Sequence, residues 1–218
     1  MGDSAWRESY SFSAFAEDPI AVLEHAGAFD AAAKPVIVAH SFGGAIARIT
    51  AVRHGARLGG VMIADTPLSP PKAEDGGPKE QEVRPHKVYP TVEAALERFR
   101  LAPSQPCENL FIVDYIARQS LKAVPGGVTW KFDPTVWTRF DREPVMGRLA
   151  DAACPVAYLF GVNSRLVPPH EAAAVREAVP PGTPVVEVPE AAHHLMLDQP
   201  LAFVAAVRAV LAGWGAAS

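Results

Sequence analysis

Cysteine is scarce in this chain. Cys107 and Cys154 are the only two in 218 residues, too few for a disulfide framework. Neither lies in a Cys-x-x-Cys pair or at Cys/His zinc spacing, so no metal site is expected. No apolar run approaches the ~18 residues that cross a bilayer, and no membrane partner is expected. The opening Met1-Gly2-Asp3-Ser4-Ala5-Trp6-Arg7 lacks the apolar stretch of a secretory leader, which makes a soluble cytoplasmic protein the expectation. Charge of one sign is lacking too: 20 Lys and Arg stand against 24 Asp and Glu, a net of −4. That leaves no basic footprint for nucleic acid. Neither Gly-x-Gly-x-x-Gly nor Gly-x-x-x-x-Gly-Lys-Ser/Thr follows any apolar run, which sets aside a nucleotide-binding domain, and no cofactor is expected. What the chain does have is apolar residues, 49% of the total, ample for a packed core in one large domain or a domain with an insertion.

The apolar residues fall in a recurring order. Residues 17–27 read as a helix, with Ile20 and Leu23 on one face before a glycine stop. Residues 35–40 form a β-branched run read as a buried strand, and an alanine-rich helical pattern follows to His54. Residues 58–65 make a second short strand that ends in Asp65. Two more strands are expected at 155–161 and 183–188, each followed by a helix, at 169–178 and 199–214. Strands alternating with helices imply an α/β fold with a mostly parallel sheet covered on both faces.

Between Thr66 and Cys154 this order breaks. Residues 69–90 are rich in proline, glycine and charge and read as an irregular excursion. Helical stretches at 91–100 and 108–121 follow, then an aromatic-rich stretch at 130–140. The expected organisation is a core in two parts, 1–66 and 151–218, with a helical cap inserted at 67–150. Phe99, Phe111, Tyr115, Trp130, Phe132 and Trp137 would mostly form the cap's own core, with some lining a pocket.

The most informative residues are Val38-Ala39-His40-Ser41-Phe42-Gly43-Gly44. A strand ends in a tight turn of small residues with a serine at its apex, and a helix starts at once. This is the order of a nucleophile elbow, although Ala39 stands where Gly-x-Ser-x-Gly has its first glycine. A serine hydroxyl becomes a useful nucleophile only when a neighbouring base takes its proton. The strained turn needs nearly bare neighbours two positions away, which Gly43 supplies and Ala39 approximates. The backbone N–H of Phe42, at the helix N-terminus, would face a developing oxyanion. The competing reading is an ordinary turn in which Ser41 caps the helix.

A base is available in Ala191-Ala192-His193-His194-Leu195, after the last strand and before the last helix, on the sheet edge that carries Ser41. Either histidine could serve. With the elbow, the insertion, Gly161 after a strand, and a histidine followed by Asp198-Gln199-Pro200 and a terminal helix, the chain resembles the α/β-hydrolase superfamily from Met1 to Ser218. The resemblance implies the α/β-hydrolase fold. It selects His193, which follows a small residue, over His194. The acid departs from the family pattern: Ser164 stands where Gly-x-x-Asp would put an aspartate. Some relatives carry the acid one strand earlier, and Asp65 occupies that place. Asn163 is a weaker orienter, and Asp65 could instead cap the turn into Thr66-Pro67. Family members generally have about four strands before the elbow strand, so the core looks N-terminally truncated. An oxyanion donor is then missing, and residues 36–38 would form an unprotected edge that invites a homo-oligomer.

The resemblance implies a serine hydrolase of carboxylesterase type acting on a small apolar ester through Ser41, His193 and Asp65. The alternative is a binding or catalytically weak protein that keeps only the fold.

Overall fold

The structure, a computed structural model, describes residues 3–68, 85–141 and 148–215. Most of the expected excursion at 69–90 lies outside them. In chain order the elements are β1 (Tyr10–Ser11), α1 (Phe12–His25), β2 (Val36–His40), α2 (Phe42–His54), β3 (Gly60–Ala64), α3 (Val92–Leu96) and α4 (Leu110–Gln119). There follow β4 (Leu121–Val124), β5 (Gly127–Trp130), β6 (Phe140–Asp141), β7 (Val156–Gly161), α5 (Pro169–Ala178), β8 (Val185–Val188), α6 (Leu195–Asp198) and α7 (Pro200–Gly213). No helix among the described residues is long and apolar enough to cross a membrane. The chain divides into two compact units, one of Met1–Tyr10 with Pro71–Asp141, the other of Ser11–Pro70 with Arg142–Ser218.

The second unit holds a four-stranded parallel sheet in the order β2-β3-β7-β8. Its two central strands are buried along their whole length, as expected for parallel strands covered on both faces. Alternate residues feed two cores. Val61, Ile63, Val156, Tyr158 and Phe160 face one way, packing with Ala47 and Ala51 of α2 and Ala172 and Val175 of α5. Met62, Ala64, Ala157 and Leu159 face the other way, against Leu195 and Val210. The period of two along each strand thus places one sheet between two layers of helices.

Two sequence expectations shift here. The run at 35–40 is not a fully buried strand: β2 lies at the end of the sheet, partly buried, with Val38 44% exposed. The first helix begins at Phe12 rather than residue 17, because the Ser11 hydroxyl accepts from the Ala14 N–H and caps an additional turn. Pro19 sits inside that helix, where it lacks the N–H that a helix interior uses.

The first unit carries α3 and α4, and also an antiparallel hairpin, β4–β5, that periodicity did not suggest. Asp133, fully buried, accepts from the Tyr10 hydroxyl at 2.6 Å and from the Thr135 N–H and hydroxyl. Of the six aromatics expected mostly in a core, Phe111, Tyr115, Phe132 and Trp137 are exposed, whereas Phe99 packs on Trp130 with ring centroids 5.9 Å apart.

Candidate active site

Ser41 follows the last residue of β2 and precedes the first of α2, in a backbone conformation of φ 54°, ψ −123°. Only three described residues other than glycine have positive φ: Ser41, Asp65 and Glu190. Each costs on the order of 1 kcal/mol or more, so the surrounding structure must hold it. The Ser41 N–H donates to Ala64 O on β3 at 2.9 Å, and its carbonyl accepts from the Thr66 hydroxyl at 2.8 Å. Thr66 is fixed in turn, its N–H donating to the buried Tyr158 hydroxyl, which donates back to the Thr66 carbonyl. Although Ser41 occupies the N-cap position, its side chain makes no capping hydrogen bond. The ordinary reading of a capping serine is therefore not what the geometry shows.

The crowding at the elbow differs from the sequence expectation. A Cβ on Gly43 would meet only the Ala39 methyl, at 3.9 Å, an ordinary contact. A Cβ on Gly44 would fall 2.0 Å from Thr66 Oγ1 and 3.0 Å from Ile63 Cγ2. The turn therefore depends on Gly44, which lets α2 pass directly over the end of β3. Phe42 opens α2, and its ring is held by Phe12 and Phe15 of α1, with centroids 5.5 and 5.6 Å away. Its N–H thus lies at the positive end of the helix.

Asp65 and His193 meet. His193 Nδ1 lies 2.8 Å from Asp65 Oδ1, and the two side chains are 3% and 0% exposed. An ionised carboxylate only accepts, so the imidazole carries its proton on Nδ1 and its lone pair on Nε2. That Nε2 is buried and has no hydrogen-bond partner among the described residues. Ser41 and His193 are therefore not hydrogen-bonded in this state. Apo sites often hold such contacts open until substrate binds.

The carboxylate is satisfied from three sides. Besides His193, Gly161 N–H donates to Oδ2 at 2.9 Å and the Ser164 hydroxyl donates to Oδ1 at 2.6 Å. Ser164 Oγ accepts from the N–H groups of Leu166 and Val167, so its own proton is directed at Asp65. The residue standing where the family pattern has an acid thus supports the acid one strand away. Asp65 does not act merely as a turn cap. Asn163 is exposed and only its backbone N–H reaches the histidine loop, at Ala191 O, 2.8 Å. It gives no support as an orienter.

The loop carrying His193 is fixed at both ends. Asp198 accepts from the Ala192 N–H at 2.8 Å. Gly161 passes so close that a Cβ there would fall 2.4 Å from the carbonyl oxygens of Ala191 and Ala192. Beside the elbow, His40 Nε2 donates to the His193 carbonyl at 2.8 Å, and the two rings lie 4.5 Å apart, centre to centre. Burial pulls the His40 pKa down to about 4, and repulsion from the other two imidazoles adds to that, opposed by its bond to the His193 carbonyl and the charge of Asp65. His194 is buried against both rings. His40 precedes Ser41 in the sequence, but nothing local marks it for this contact; one buried histidine looks like any other until the fold closes.

The model of the alpha/beta hydrolase family matches residues 1–207. No curated protein matches the chain. Among solved structures, an E-2-(acetamidomethylene)succinate hydrolase is similar at 20% identity and a TM-score of 0.76, over 97% of this chain and 78% of that one. The esterase Rv0045c from Mycobacterium tuberculosis is similar at 22% identity and a TM-score of 0.70, over 96% and 71%. The peroxisomal alpha-beta-hydrolase Lpx1 from Saccharomyces cerevisiae shares 12% identity with a TM-score of 0.74, over 97% and 62%. At such identities the likeness is one of fold. A parallel sheet between helical layers, a serine strained at a strand-to-helix turn and a family match along nearly the whole sequence agree, and the chain belongs to the alpha/beta hydrolase family.

Proposed function

We propose that this protein is a serine hydrolase that cleaves a small apolar carboxylic ester through an acyl-enzyme. The observation that carries the reading is the buried Asp65–His193 pair, which leaves His193 Nε2 as an unengaged base in the loop beside the elbow. In this scheme His193 Nε2 takes the proton of Ser41 as Oγ attacks the ester carbonyl carbon. Asp65 stabilises the imidazolium without itself being protonated. The Phe42 N–H donates to the oxyanion. Collapse breaks the C–O bond, the departing alkoxide receives the proton from His193, and an acyl-Ser41 remains. Water, deprotonated by the same imidazole, then releases the acid and restores the hydroxyl. The hydrolase and esterase names of the structural relatives support acyl chemistry as the reaction class.

A binding or catalytically weak protein is the second reading, favoured by the open contact between Ser41 and His193. A fluorophosphonate probe separates the two. Covalent labelling that vanishes in Ser41→Ala and falls in His193→Ala is the expected result. Absence of labelling in the folded wild-type protein would overturn the hydrolase reading.

A further inference from the structure

Three histidines from two places in the sequence, His40 at the end of β2 and His193 with His194 in the loop before α6, converge in the second unit. One ring nitrogen of each lies within 4.8 Å of those of the others, and no other such group of three potential ligands occurs among the described residues. The three rings pack against one another, tilted or edge-on, with centroids 4.5 to 5.5 Å apart. His193 Nε2 is buried with its lone pair unengaged, the usual state of a ligand atom before its ion arrives. Behind it, Asp65 accepts from Nδ1, the carboxylate–histidine arrangement that fixes the tautomer and raises the basicity of a metal-binding imidazole.

We propose that His40, His193 and His194 form a binding site for a divalent transition-metal ion of the zinc or copper type, and that the ion occupies the lone pair of His193 Nε2. Three imidazoles without a ligating carboxylate suit zinc, copper or nickel rather than magnesium or calcium, which require oxygen. A tetrahedral zinc at about 2.0–2.1 Å from each nitrogen holds its ligands about 3.4 Å apart, so a 4.8 Å span closes by at most about 1.4 Å through ring rotation. The ion would take the same lone pair that the proposed hydrolysis needs. Inhibition by zinc therefore follows, and this part rests on the serine-hydrolase reading.

The test uses the whole chain freed of metal. Equilibrium dialysis against Zn²⁺ should show one tight equivalent, and His40→Gln and His194→Gln should each weaken it roughly 10-fold or more. Thermal melts establish that each variant folds, and His194→Gln carries the test if His40→Gln does not. The proposal is overturned if the wild-type protein binds no stoichiometric zinc, or if binding survives both substitutions, as it would at His25, His54, His86 or His170. Fluorophosphonate labelling with and without zinc is then compared within each variant. Zinc should slow labelling of the wild-type protein about 10-fold, reversibly by chelator, and the ratio should approach one in the variants. Zinc bound through these histidines without slowing labelling would overturn occupation of Nε2. Zinc bound through them in a protein that never labels upholds the site and sinks the hydrolase reading instead.

Discussion

Ser164 and His193 donate to the same oxygen, Asp65 Oδ1, at 2.6 and 2.8 Å. The hydroxyl has no choice of direction, because two backbone N–H groups already point at its oxygen. The turn after β7 thus orients the carboxylate that follows β3.

That arrangement predicts a graded pair of variants. Asp65→Asn should lower kcat by roughly 10⁴-fold, the loss seen when a Ser-His-Asp triad keeps its geometry but not its charge. Ser164→Ala removes one of three donors to a carboxylate that keeps its His193 and Gly161 partners, and should lower kcat about 10-fold, near 1.4 kcal/mol of barrier. Steady-state hydrolysis of a chromogenic short-chain ester measures both. Equal, small effects would remove Asp65 from the proposed triad.

The two elbow glycines should respond oppositely to alanine. Gly44→Ala forces a methyl into Thr66 Oγ1 and Ile63, overpacking that costs about 1–3 kcal/mol. At ~2–4 °C per kcal/mol for a chain of this size, the melting temperature should fall by roughly 2–12 °C. Gly43→Ala meets only an ordinary contact and gains about 0.5–1 kcal/mol of helix preference, so it should melt at or above the wild-type temperature. Calorimetry of the two single variants decides the matter.

Acidification should act through His40. Its folded pKa of about 4 lies below its ordinary value of 6.5, mainly because burial disfavours the charged ring. The unfolded chain then binds the proton that the folded chain refuses, and stability rises with pH across that window. It is fully present above 6.5 and is lost as pH falls from 6.5 toward 4. His40 is only partly buried, so the loss is on the order of 1–2 kcal/mol after solvent screening. Urea unfolding of wild type and His40→Gln at a series of pH values should give a shallower slope for the variant over this range. Parallel slopes would assign the pH dependence to other groups.

Much of this was legible in the sequence where the signal is local. The Ser41 elbow reads from seven consecutive residues, and the helix expected at 169–178 appears as α5 with the same bounds. Asp65 came from the family resemblance alone, since nothing near Ile63-Ala64-Asp65 says that Gly161, Ser164 and His193 will close around its carboxylate. Those partners come from about 100 residues or more away, and side-chain convergence over such separations leaves no periodic trace. The need for a bare position at 44 rather than 43 is equally tertiary, because it arises from Thr66 on another strand end. The β4–β5 hairpin was missed for a different reason: its pairs are short and mix Lys122 and Thr129 with apolar residues, so alternation is weak.

A chain of contacts runs from the sheet interior to Ser41. Tyr158 engages both backbone groups of Thr66, and the Thr66 hydroxyl holds the carbonyl of Ser41. Tyr158→Phe leaves a buried N–H and a buried carbonyl without this partner, at a cost of about 1–3 kcal/mol for each group left unmade. Thr66→Val keeps the shape of the side chain but withdraws the donor from a residue strained at φ 54°. It should cost about 1 kcal/mol in stability and, by loosening the elbow, slow fluorophosphonate labelling roughly 10-fold, since small misplacements of a nucleophile are expensive. Thr66→Ser retains the donor and should label at close to the wild-type rate. If Val and Ser at this position label equally fast, the Thr66 hydrogen bond does not hold Ser41 in place, and the strain there must be maintained by its backbone bonds to Ala64, Gly44 and Ala45.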